Sequence, residues 1–338
     1  MALMRARRRS PAPRHSAERT VTLLFASDLH GSDMAFRKML NAIAAYKVDS
    51  VICGGDLVGK RLYPVVEHGD GTFTIEVTGR DTRLRDGPEL AEARRRIADR
   101  GGYTVDVTPE ELGHLKGDPE SVERILGGCA QERLIAWIAL ANERLAGTGA
   151  RLYMTGGNDD SEDVLSPLTA PEHGRVVPCD GRVVDVHGYE MASLGWSNRT
   201  PWNTPREVDE DALAAIISQL VEGIEHYEDA IFNFHVPPKD STLDTCPRLD
   251  ATASPPRVVM RGGEVEMFGA GSTAVSDAIA HWQPMLSLHG HIHESPNVVK
   301  LGRTVAINPG SDYQDGALRG AIVALRGSKV VSYQLTRG

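Results

Sequence analysis

Residues 20–56, TVTLLFASDLHGSDMAFRKMLNAIAAYKVDSVICGGD, predict the fold class of this protein. The segment begins with TVTLLFAS (20–27), an apolar run with the length and composition of a buried strand. In MAFRKMLNAIAAY (34–46) the apolar residues recur at helical spacing, and DSVICGG (49–55) has the pattern of a second buried strand. A strand, a helix and a strand in succession are typical of an α/β sheet. We therefore expect an α/β protein.

Similar strand and helix patterns continue through the rest of the chain. It contains no internal sequence repeat and no interdomain linker. The spacing of apolar residues predicts a helix at 120–146, a strand at 151–157, a hairpin at 182–196, a helix at 209–224, a strand at 230–235, a helix at 272–282, a strand at 285–291 and successive strands from 298 onward. The stretch from 236 to about 256 is rich in Pro, Thr and Asp, and we expect a loop there.

Residues 60–118 differ from the flanking strand and helix patterns. They contain a predicted hairpin, VEHGDGTFTIEV (66–77), a charged helix, PELAEARRRIADR (88–100), and a helix start at Thr108-Pro109-Glu110-Glu111. We interpret this region as an insertion or cap within one domain at 20–338. Whether it covers the site, contacts a second subunit or selects the substrate is left open by the sequence.

Length and composition are those of an ordinary globular protein. The chain has 338 residues, of which 41% are hydrophobic and 25% charged. The four cysteines are scattered, with no CxxC pair and no disulfide framework spacing. This usage predicts a reduced, cytoplasmic protein.

Charge is distributed unevenly along the chain. Residues 1–19 hold six arginines and one acid, Glu18, so this tail carries about +5 of the total charge of −9 and the remainder carries about −14. We predict a disordered basic tail at 1–19. The acidic body argues against broad nucleic-acid binding. No run approaches the roughly 20 apolar residues that span a membrane, and no apolar core of a signal peptide follows the arginines.

Polar side chains follow five predicted strands, at the point where each strand ends. The five groups are Asp28-Leu29-His30, Gly54-Gly55-Asp56, Gly156-Gly157-Asn158-Asp159-Asp160, His235 and Gly290-His291-Ile292-His293. Because open α/β sheets build their sites at the carboxyl ends of strands, we expect these groups to lie together. The glycines beside the polar residues are expected to permit sharp turns.

The chemistry of these groups is that of a metal site. Imidazoles, carboxylates and one amide oxygen, without a thiolate, suit Mn, Fe or Zn. Seven such side chains exceed the needs of one ion. They fit two ions about 3.5–4 Å apart that share one carboxylate.

The segment LSLHGHIHES (286–295) places three histidines at alternate positions, His289, His291 and His293. In an extended chain, residues two apart point to the same side. If the strand geometry continues into the turn, the three imidazoles converge on one point.

The five groups together resemble the pattern of the calcineurin-like metallophosphoesterase family. That pattern is D-x-H, G-D, G-N-H-D/E, a lone H and G-H-x-H, and all five blocks occur here in order across residues 28–293. The segments TGGNDD, NFHVPP, LHGHIHES and INPGSDY resemble bacterial and archaeal phosphoesterases related to the cyclic-AMP phosphodiesterase type. The resemblance implies a four-layer αββα sandwich, in which two mixed β-sheets lie face to face with helices outside.

The resemblance also implies a role for each ligand. It assigns Asp28, His30 and His293 to one metal ion, Asn158, His235 and His291 to a second, and Asp56 to both. A hydroxide between the two ions would attack phosphorus in line. The family pattern does not require His289, for which we expect a role behind the ligands or in the core.

One position departs from the family pattern. The family has a His, not a metal ligand, where this chain has Asp159, and that His helps the leaving group depart or stabilises the transition state. We expect Asp159 to act as a general acid if neighbouring Asp160 raises its pKa. If Asp159 is ionised, it repels a phosphomonoester dianion more than a diester monoanion, which favours diesters.

Three further residues are candidates for substrate binding. Asn198 and Arg199 lie with Trp202 in the polar loop GWSNRTPWNTP (195–205), and Lys239 follows His235 closely. An ordinary packed loop explains the first segment equally well. Likewise NPGSDY (308–313) is either an anion-binding turn or simply a tight turn.

We therefore expect a dinuclear hydrolase of small-molecule phosphodiesters or nucleotides that uses two divalent ions, with Asp56 and Asp159 in catalytic roles. The alternatives are a nuclease on DNA or RNA and a non-catalytic scaffold for protein assembly. A homo-oligomer is possible on this sequence, and we expect neither nucleic acid nor membrane as a partner.

Overall fold

A computed structural model describes residues 19–77, 79–169 and 174–338. The predicted basic tail lies outside the described residues except for Arg19, whose guanidinium donates to Asp49 Oδ1 at 2.8 Å.

The described chain contains six α-helices, several short 3₁₀ turns and 24 strands. The helices are α1 (Asp33–Tyr46), α2 (Pro88–Asp99), α3 (Pro109–Lys116), α4 (Pro119–Leu145), α5 (Glu210–Val221) and α6 (Thr273–Trp282). The strands are β1 (Val21–Ala26), β2 (Ser50–Cys53), β3 (Arg61–Glu67), β4 (Thr72–Val77), β5 (Arg80–Arg85), β6 (Gly102–Val107), β7 (Leu152–Met154), β8 (Val176–Pro178), β9 (Arg182–Val186), β10 (Tyr189–Leu194), β11 (Ser197–Asn198), β12 (Glu207–Val208), β13 (Ile231–Phe234), β14 (Thr245–Pro247), β15 (Leu249–Asp250), β16 (Arg257–Val258), β17 (Met260–Arg261), β18 (Glu264–Val265), β19 (Met267–Gly269), β20 (Leu286–Leu288), β21 (Asn297–Leu301), β22 (Thr304–Asn308), β23 (Arg319–Arg326) and β24 (Lys329–Arg337).

Two six-stranded mixed sheets form the centre of the fold. The first has the order β24-β23-β1-β2-β7-β8, with β1, β2, β7 and β8 parallel, β23 antiparallel to β1 and β24 antiparallel to β23. The second has the order β21-β22-β20-β13-β10-β9, in which the four middle strands are parallel and both edge strands antiparallel. Parallel neighbours bring their carboxyl ends to one edge of each sheet.

Side-chain alternation in β1 shows how the layers pack. Leu23 and Phe25 point into the core between the two sheets, together with residues of the second sheet such as Met191 and Ile231. Leu24, one position out of phase, points to the opposite core, which α1 and α4 cover. Helices α5 and α6 cover the outer face of the second sheet. The predicted αββα sandwich is confirmed.

Residues 61–107 form a separate small sheet with the order β5-β4-β3-β6. Its core is small and contains Val65, Ile75, Leu90 and Ile97 from the sheet and α2. Helix α3 begins with a capping box, in which the hydroxyl of Thr108 and the carboxylate of Glu111 satisfy each other's backbone N–H groups. The sheet is anchored to the main body where the amide of Gly59 donates to the Tyr103 hydroxyl at 3.0 Å.

The predicted loop after residue 236 is more structured than the sequence indicates. From Thr245 to Gly269 the chain forms short two-stranded ribbons, β14 to β19. Each strand has only two or three residues, too few for a recognisable alternating pattern. Met260 and Met267 in these ribbons are half exposed, so the sequence has no alternation of buried and exposed residues that would predict these strands. None of the described helices has the length and apolarity needed to cross a bilayer.

Helix α4 offers a matched test of the outer core. Leu134 is fully buried, whereas the adjacent Ile135 is 57% exposed. We expect Leu134→Ala to lower the free energy of unfolding by about 2–5 kcal/mol, because it leaves a cavity under the first sheet. Ile135→Ala is expected to change it by less than about 0.5 kcal/mol. Urea unfolding measures both, and equal losses would contradict the packing described here.

Candidate metal centre

The five groups predicted from the sequence meet where the carboxyl ends of β1, β2, β7, β13 and β20 come together. The seven predicted ligands at this place are Asp28, His30, Asp56, Asn158, His235, His291 and His293, of which all but His291 and His293 are buried. Backbone hydrogen bonds join the loops: the amide of His30 donates to Asp56 O at 2.9 Å, and that of Gly290 to His235 O at 2.9 Å.

One group of candidate ligands contains Asp28, His30 and His293, whose ligand atoms lie within 4.8 Å of one another. Nε2 of His293 is 3.1 Å from Nε2 of His30 and 3.3 Å from Oδ1 of Asp28. Ligands bound to one ion at about 2.0–2.2 Å, and at about 90–110° to each other, are separated by about 2.8–3.5 Å. The spacing of this group is therefore that of ligands around one cation.

A second group contains Asp28, Asp56 and His235. Nε2 of His235 lies 3.3 Å from Asp56 Oδ1 and 3.8 Å from Asp28 Oδ1. Asn158 and His291 lie next to each other at the same centre, with Asn158 Oδ1 at 2.7 Å from His291 Nδ1. Asp56 also forms a third group with His30 and Asp159, and so lies between the two halves of the cluster.

The environment of His235 shows that the residues present fit divalent cations. Its Nδ1 is 2.9 Å from the carbonyl oxygen of Gly54, so the ring donates there and, in its neutral form, directs its Nε2 lone pair at two carboxylates. This Nε2 is buried and makes no well-aligned hydrogen bond among the described residues, although Asp56 Oδ1 lies 3.3 Å away. Burial opposes the charged ring, but Asp56 and Asp28 outweigh it and raise the pKa of His235 to about 10. The same field favours a metal cation at this position.

Four of the candidate ligands have a backbone conformation that residues other than glycine rarely adopt. Asp28, His30, Asp56 and His291 have φ values of 57°, 42°, 48° and 66°, in the left-handed region. Such residues persist only where the surrounding structure holds them, and they concentrate at functional sites. Here the hydrogen bonds between neighbouring loops hold them.

At two positions beside the ligands, glycine is required because there is no room for a β-carbon. A β-carbon on Gly290 would overlap the Asp28 carboxylate, and one on Gly157 would overlap that of Asp56. Neither glycine has a left-handed φ, so it is the lack of space for a β-carbon that requires glycine there. The expectation of a sharp turn is confirmed for Gly55, whose φ is 122°.

A hydrogen-bond chain that sequence reasoning missed orients Asn158. The Nδ2 of Asn158 donates to Thr204 Oγ1 at 2.8 Å, and the Thr204 hydroxyl donates to Glu207 Oε1 at 2.7 Å. The Thr200 hydroxyl donates to the same carboxylate oxygen. Because the amide nitrogen of Asn158 donates to Thr204, away from the cluster, the amide oxygen points to the centre of the cluster.

Asp159 is buried beside the cluster and forms an ion pair with Lys60. Burial and the Asp56 carboxylate raise the pKa of Asp159, and the Lys60 ammonium opposes them. Asp160 also raises it, but less than burial and Asp56 do, and its carboxylate accepts from backbone amides, including that of Leu57 at 2.9 Å. The raised pKa is thus as expected, but Asp160 is not its main cause. The ion pair also weakens the charge-repulsion argument for diesters.

The three alternating histidines do not converge, because β20 ends before His289 and His291 has a left-handed φ. His289 is fully buried behind the ligands. Its Nδ1 lies 2.8 Å from Phe234 O and its Nε2 2.8 Å from the Ser287 hydroxyl. Its role is to connect the ends of β13 and β20, and only His291 and His293 reach the cluster.

A cavity of about 390 Å³ opens over the cluster. The candidate ligands form its floor, and Tyr313 packs against His30 with ring centroids 4.6 Å apart. Apolar side chains also line it, including those of Trp202, Leu249, Val258 and Phe268. This mixture of a charged floor and an apolar lining suits an organic ligand with an anionic group.

The three predicted substrate-binding residues are not among those that line this cavity. Arg199 pairs with Asp209, Lys239 Nζ donates to Gly269 O at 3.2 Å, and Asn198 lies near Gly271 O. Their binding roles remain predictions.

In NPGSDY, the amides of Gly310 and Ser311 donate to Asn308 Oδ1 and to His293 O. Both amides are therefore already used, which leaves the tight turn as the explanation of this segment.

The Gly290 contact predicts an effect on metal binding. We expect Gly290→Ala to weaken Mn²⁺ binding about 10–100-fold, because the added methyl group displaces Asp28. Isothermal titration calorimetry measures the affinity. The control is Gly128→Ala in α4, where a β-carbon meets nothing within 4 Å, and it should bind like the wild type. Equal affinities for all three proteins would contradict the placement of Asp28.

The Asn158 chain predicts a second effect. Thr204→Val removes the acceptor that orients the amide, so one of the Mn²⁺ affinities should fall about 10–100-fold. Thr200→Val is the matched control, since it removes a hydrogen bond to Glu207 but leaves the contact between Asn158 and Thr204 intact. If both variants bind Mn²⁺ like the wild type, Asn158 is not a ligand that depends on this chain.

No protein-family model matches the sequence. One curated relative, the uncharacterized protein MJ1162 of Methanocaldococcus jannaschii, is 24% identical over 155 residues. The match covers 45% of this chain and 61% of that relative, less than two thirds of its length.

Solved structures share the fold over nearly the whole chain. TT1561 of Thermus thermophilus superposes with a TM-score of 0.50 at 14% identity, covering 95% of this chain and 99% of that one. A second solved chain reaches 0.53 at 13% identity with the same coverage. A novel archaeal phosphodiesterase covers 94% of this chain and all of its own, but at 11% identity and a TM-score of 0.37 it carries no argument. At these identities the likeness to solved structures shows the fold alone.

Proposed function

We propose that this protein is a metal-dependent hydrolase of phosphoesters with a dinuclear centre. The observation that carries the proposal is the convergence of Asp28, Asp56 and four imidazoles, from loops far apart in sequence, on one buried point. The spacing of their ligand atoms and the buried Nε2 of His235, which makes no well-aligned hydrogen bond among the described residues, support cations at this point. The charged floor beneath an apolar cavity supports an anionic organic substrate.

The donor set supports Mn, Fe or Zn as the metals, because it contains imidazole, carboxylate and amide ligands without thiolate. When bound, two such ions would lower the pKa of a water molecule and stabilise the negative charge that develops during in-line displacement at phosphorus.

The chain's own residues would bind and orient these ions. We assign Asp28, His30 and His293 to one ion, Asn158, His235 and His291 to the other, and Asp56 to both. Thr204 holds the Asn158 oxygen inward, and the backbone amide of His291 donates to the Asp28 carboxylate at 3.0 Å. These contacts preorganise the ligands, so that little reorganisation is needed when the ions bind.

The shape of the cavity favours a small-molecule phosphoester over a simple inorganic anion. Trp202 is 57% exposed, and Phe268 lines the same cavity. Both rings offer apolar faces to an aromatic or aliphatic part of the substrate, such as a nucleobase. We keep the phosphodiester of a small molecule or nucleotide as the proposed substrate class.

A nuclease remains the catalytic alternative, and steep salt dependence of DNA binding and cleavage would favour it. A non-catalytic scaffold is the other alternative. The completeness of the ligand set speaks against a scaffold, since a protein used only for assembly has no need of it.

The test is a phosphoester panel that includes nitrophenyl monoesters and diesters, assayed with Mn²⁺ and after chelation. We expect cleavage that chelation abolishes and Mn²⁺ restores. Asp56→Asn should lower kcat by at least about 100-fold, because a shared carboxylate contributes several kcal/mol through the ions it holds.

The matched control is Asp277→Asn on the exposed face of α6, which should cleave like the wild type. Absence of cleavage across the panel, in protein shown by metal analysis to hold two Mn²⁺ per chain, would contradict the proposed activity and revive the scaffold.

A further inference from the structure

We propose that Lys60 binds the phosphoryl group of the substrate and that Asp159 positions it. The inference rests on the proposed phosphoester hydrolysis, since it assigns a binding group for that same substrate. It concerns the position at which this chain departs from the family pattern.

Lys60 is fixed at the edge of the cluster by its own backbone. It follows Asp56 by four residues, and the amides of Leu57 and Val58 donate to the buried Asp160 carboxylate at 2.9 and 3.0 Å. The next amide, that of Gly59, donates to Tyr103 in the insertion. A β-carbon on Gly59 would overlap the backbone of the insertion, so this loop and the insertion pack directly on each other. Lys60 therefore projects from a rigid base.

The side chain of Lys60 reaches the floor of the cavity. Its ammonium contacts Asp159 Oδ2, and both residues line the cavity over the metal ligands. Among the described residues that line this cavity, Lys60 is the one lysine or arginine. Its side chain is 55% exposed, so Lys60 pairs with Asp159 without being enclosed by the protein.

Charge explains why the pair is needed. The Asp159 carboxylate lies 3.7 Å from His30 Nδ1 and forms a group with His30 and Asp56, and in its ionised form it would repel a phosphate. The ammonium of Lys60 neutralises it. An ammonium has three N–H donors, and the carboxylate uses part of this capacity. Because Lys60 lines the cavity, the remaining donors are available to bind non-bridging phosphoryl oxygens with charge-assisted hydrogen bonds.

The pair thus supplies at this position a cation that a lone aspartate cannot supply. A histidine there would donate from a ring; here a carboxylate anchors a lysine from another loop. Because the ammonium is flexible on its stem, the carboxylate contact is what restricts it to one place. We call Lys60 a binding residue and Asp159 its positioning residue.

The decisive experiment measures inorganic phosphate binding to the Mn²⁺-loaded protein by calorimetry, beside kcat and KM for a nitrophenyl diester. Lys60→Met should weaken phosphate binding about tenfold or more, because it removes hydrogen bonds to a charged group. It should lower kcat/KM about 10²–10³-fold. Mn²⁺ stoichiometry should stay unchanged. Lys60→Arg should recover part of the phosphate affinity, because it keeps the charge.

The double variant Lys60→Met with Asp159→Asn separates binding from simple neutralisation. If Lys60 contacts phosphate, the double variant stays weak, whereas Asp159→Asn alone retains most of the affinity. If Lys60 only cancels the charge of Asp159, the double variant regains wild-type affinity, and the proposal is overturned. Lys329→Met is the control. Lys329 begins β24. It pairs with Arg326, next to Leu325, which pairs with Val21 at the amino end of β1, whereas the site lies at the carboxyl end of that strand.

The outcomes also separate this proposal from the proposed function. Wild-type cleavage together with unchanged phosphate affinity in Lys60→Met overturns the role of Lys60 alone. Absence of cleavage in the wild type overturns the function, and the phosphate titration still decides whether Lys60 binds the anion. A loaded wild-type protein that binds no phosphate overturns the role of Lys60 directly.

Discussion

Two buried carboxylates, those of Asp28 and Asp56, set the electrostatics on which the site depends. Removing such charges from water is strongly unfavourable unless neighbouring positive charge or hydrogen bonds compensate. Around them lie four imidazoles, and the carboxylates raise the pKa values of His235 and His293 against the effect of burial. Protons and divalent cations compete for the same space in such a centre. A cation that binds only the folded chain also stabilises the fold, so metal binding and stability are linked.

The backbone around this concentration of ligands is strained and crowded. Four ligand positions adopt left-handed φ values, and Gly157 and Gly290 leave no room for a β-carbon. The two cores on either side of the first sheet keep β1 and β2 fixed, because apolar side chains fill both faces of these strands. Rigid strands therefore hold the strained loops in register, and the conformation that suits the ligands is kept by packing far from them.

The insertion contributes to the site through a short contact at the base of Lys60. Gly59 and Gly101 let the loop after Asp56 and the start of β6 approach closely, and Tyr103 accepts the hydrogen bond that ends this loop. Lys60 leaves the loop at this junction and pairs with Asp159. Asp159, at the position where the resembled family pattern has a histidine, is thus paired with a lysine 99 positions earlier in the chain, on a different strand connection.

The sequence by itself determined the α/β class, most of the helices and the identity of the candidate ligands. Apolar periodicity and short motifs are local properties, and they need no knowledge of distant contacts. Only the tertiary structure decided which side chains meet. His289 shares the alternating pattern of His291 and His293 but turns into the core, because the strand ends before it. Lys60 and Thr204 carry no motif, and they reach the site because loops distant in sequence are brought together when two sheets pack face to face.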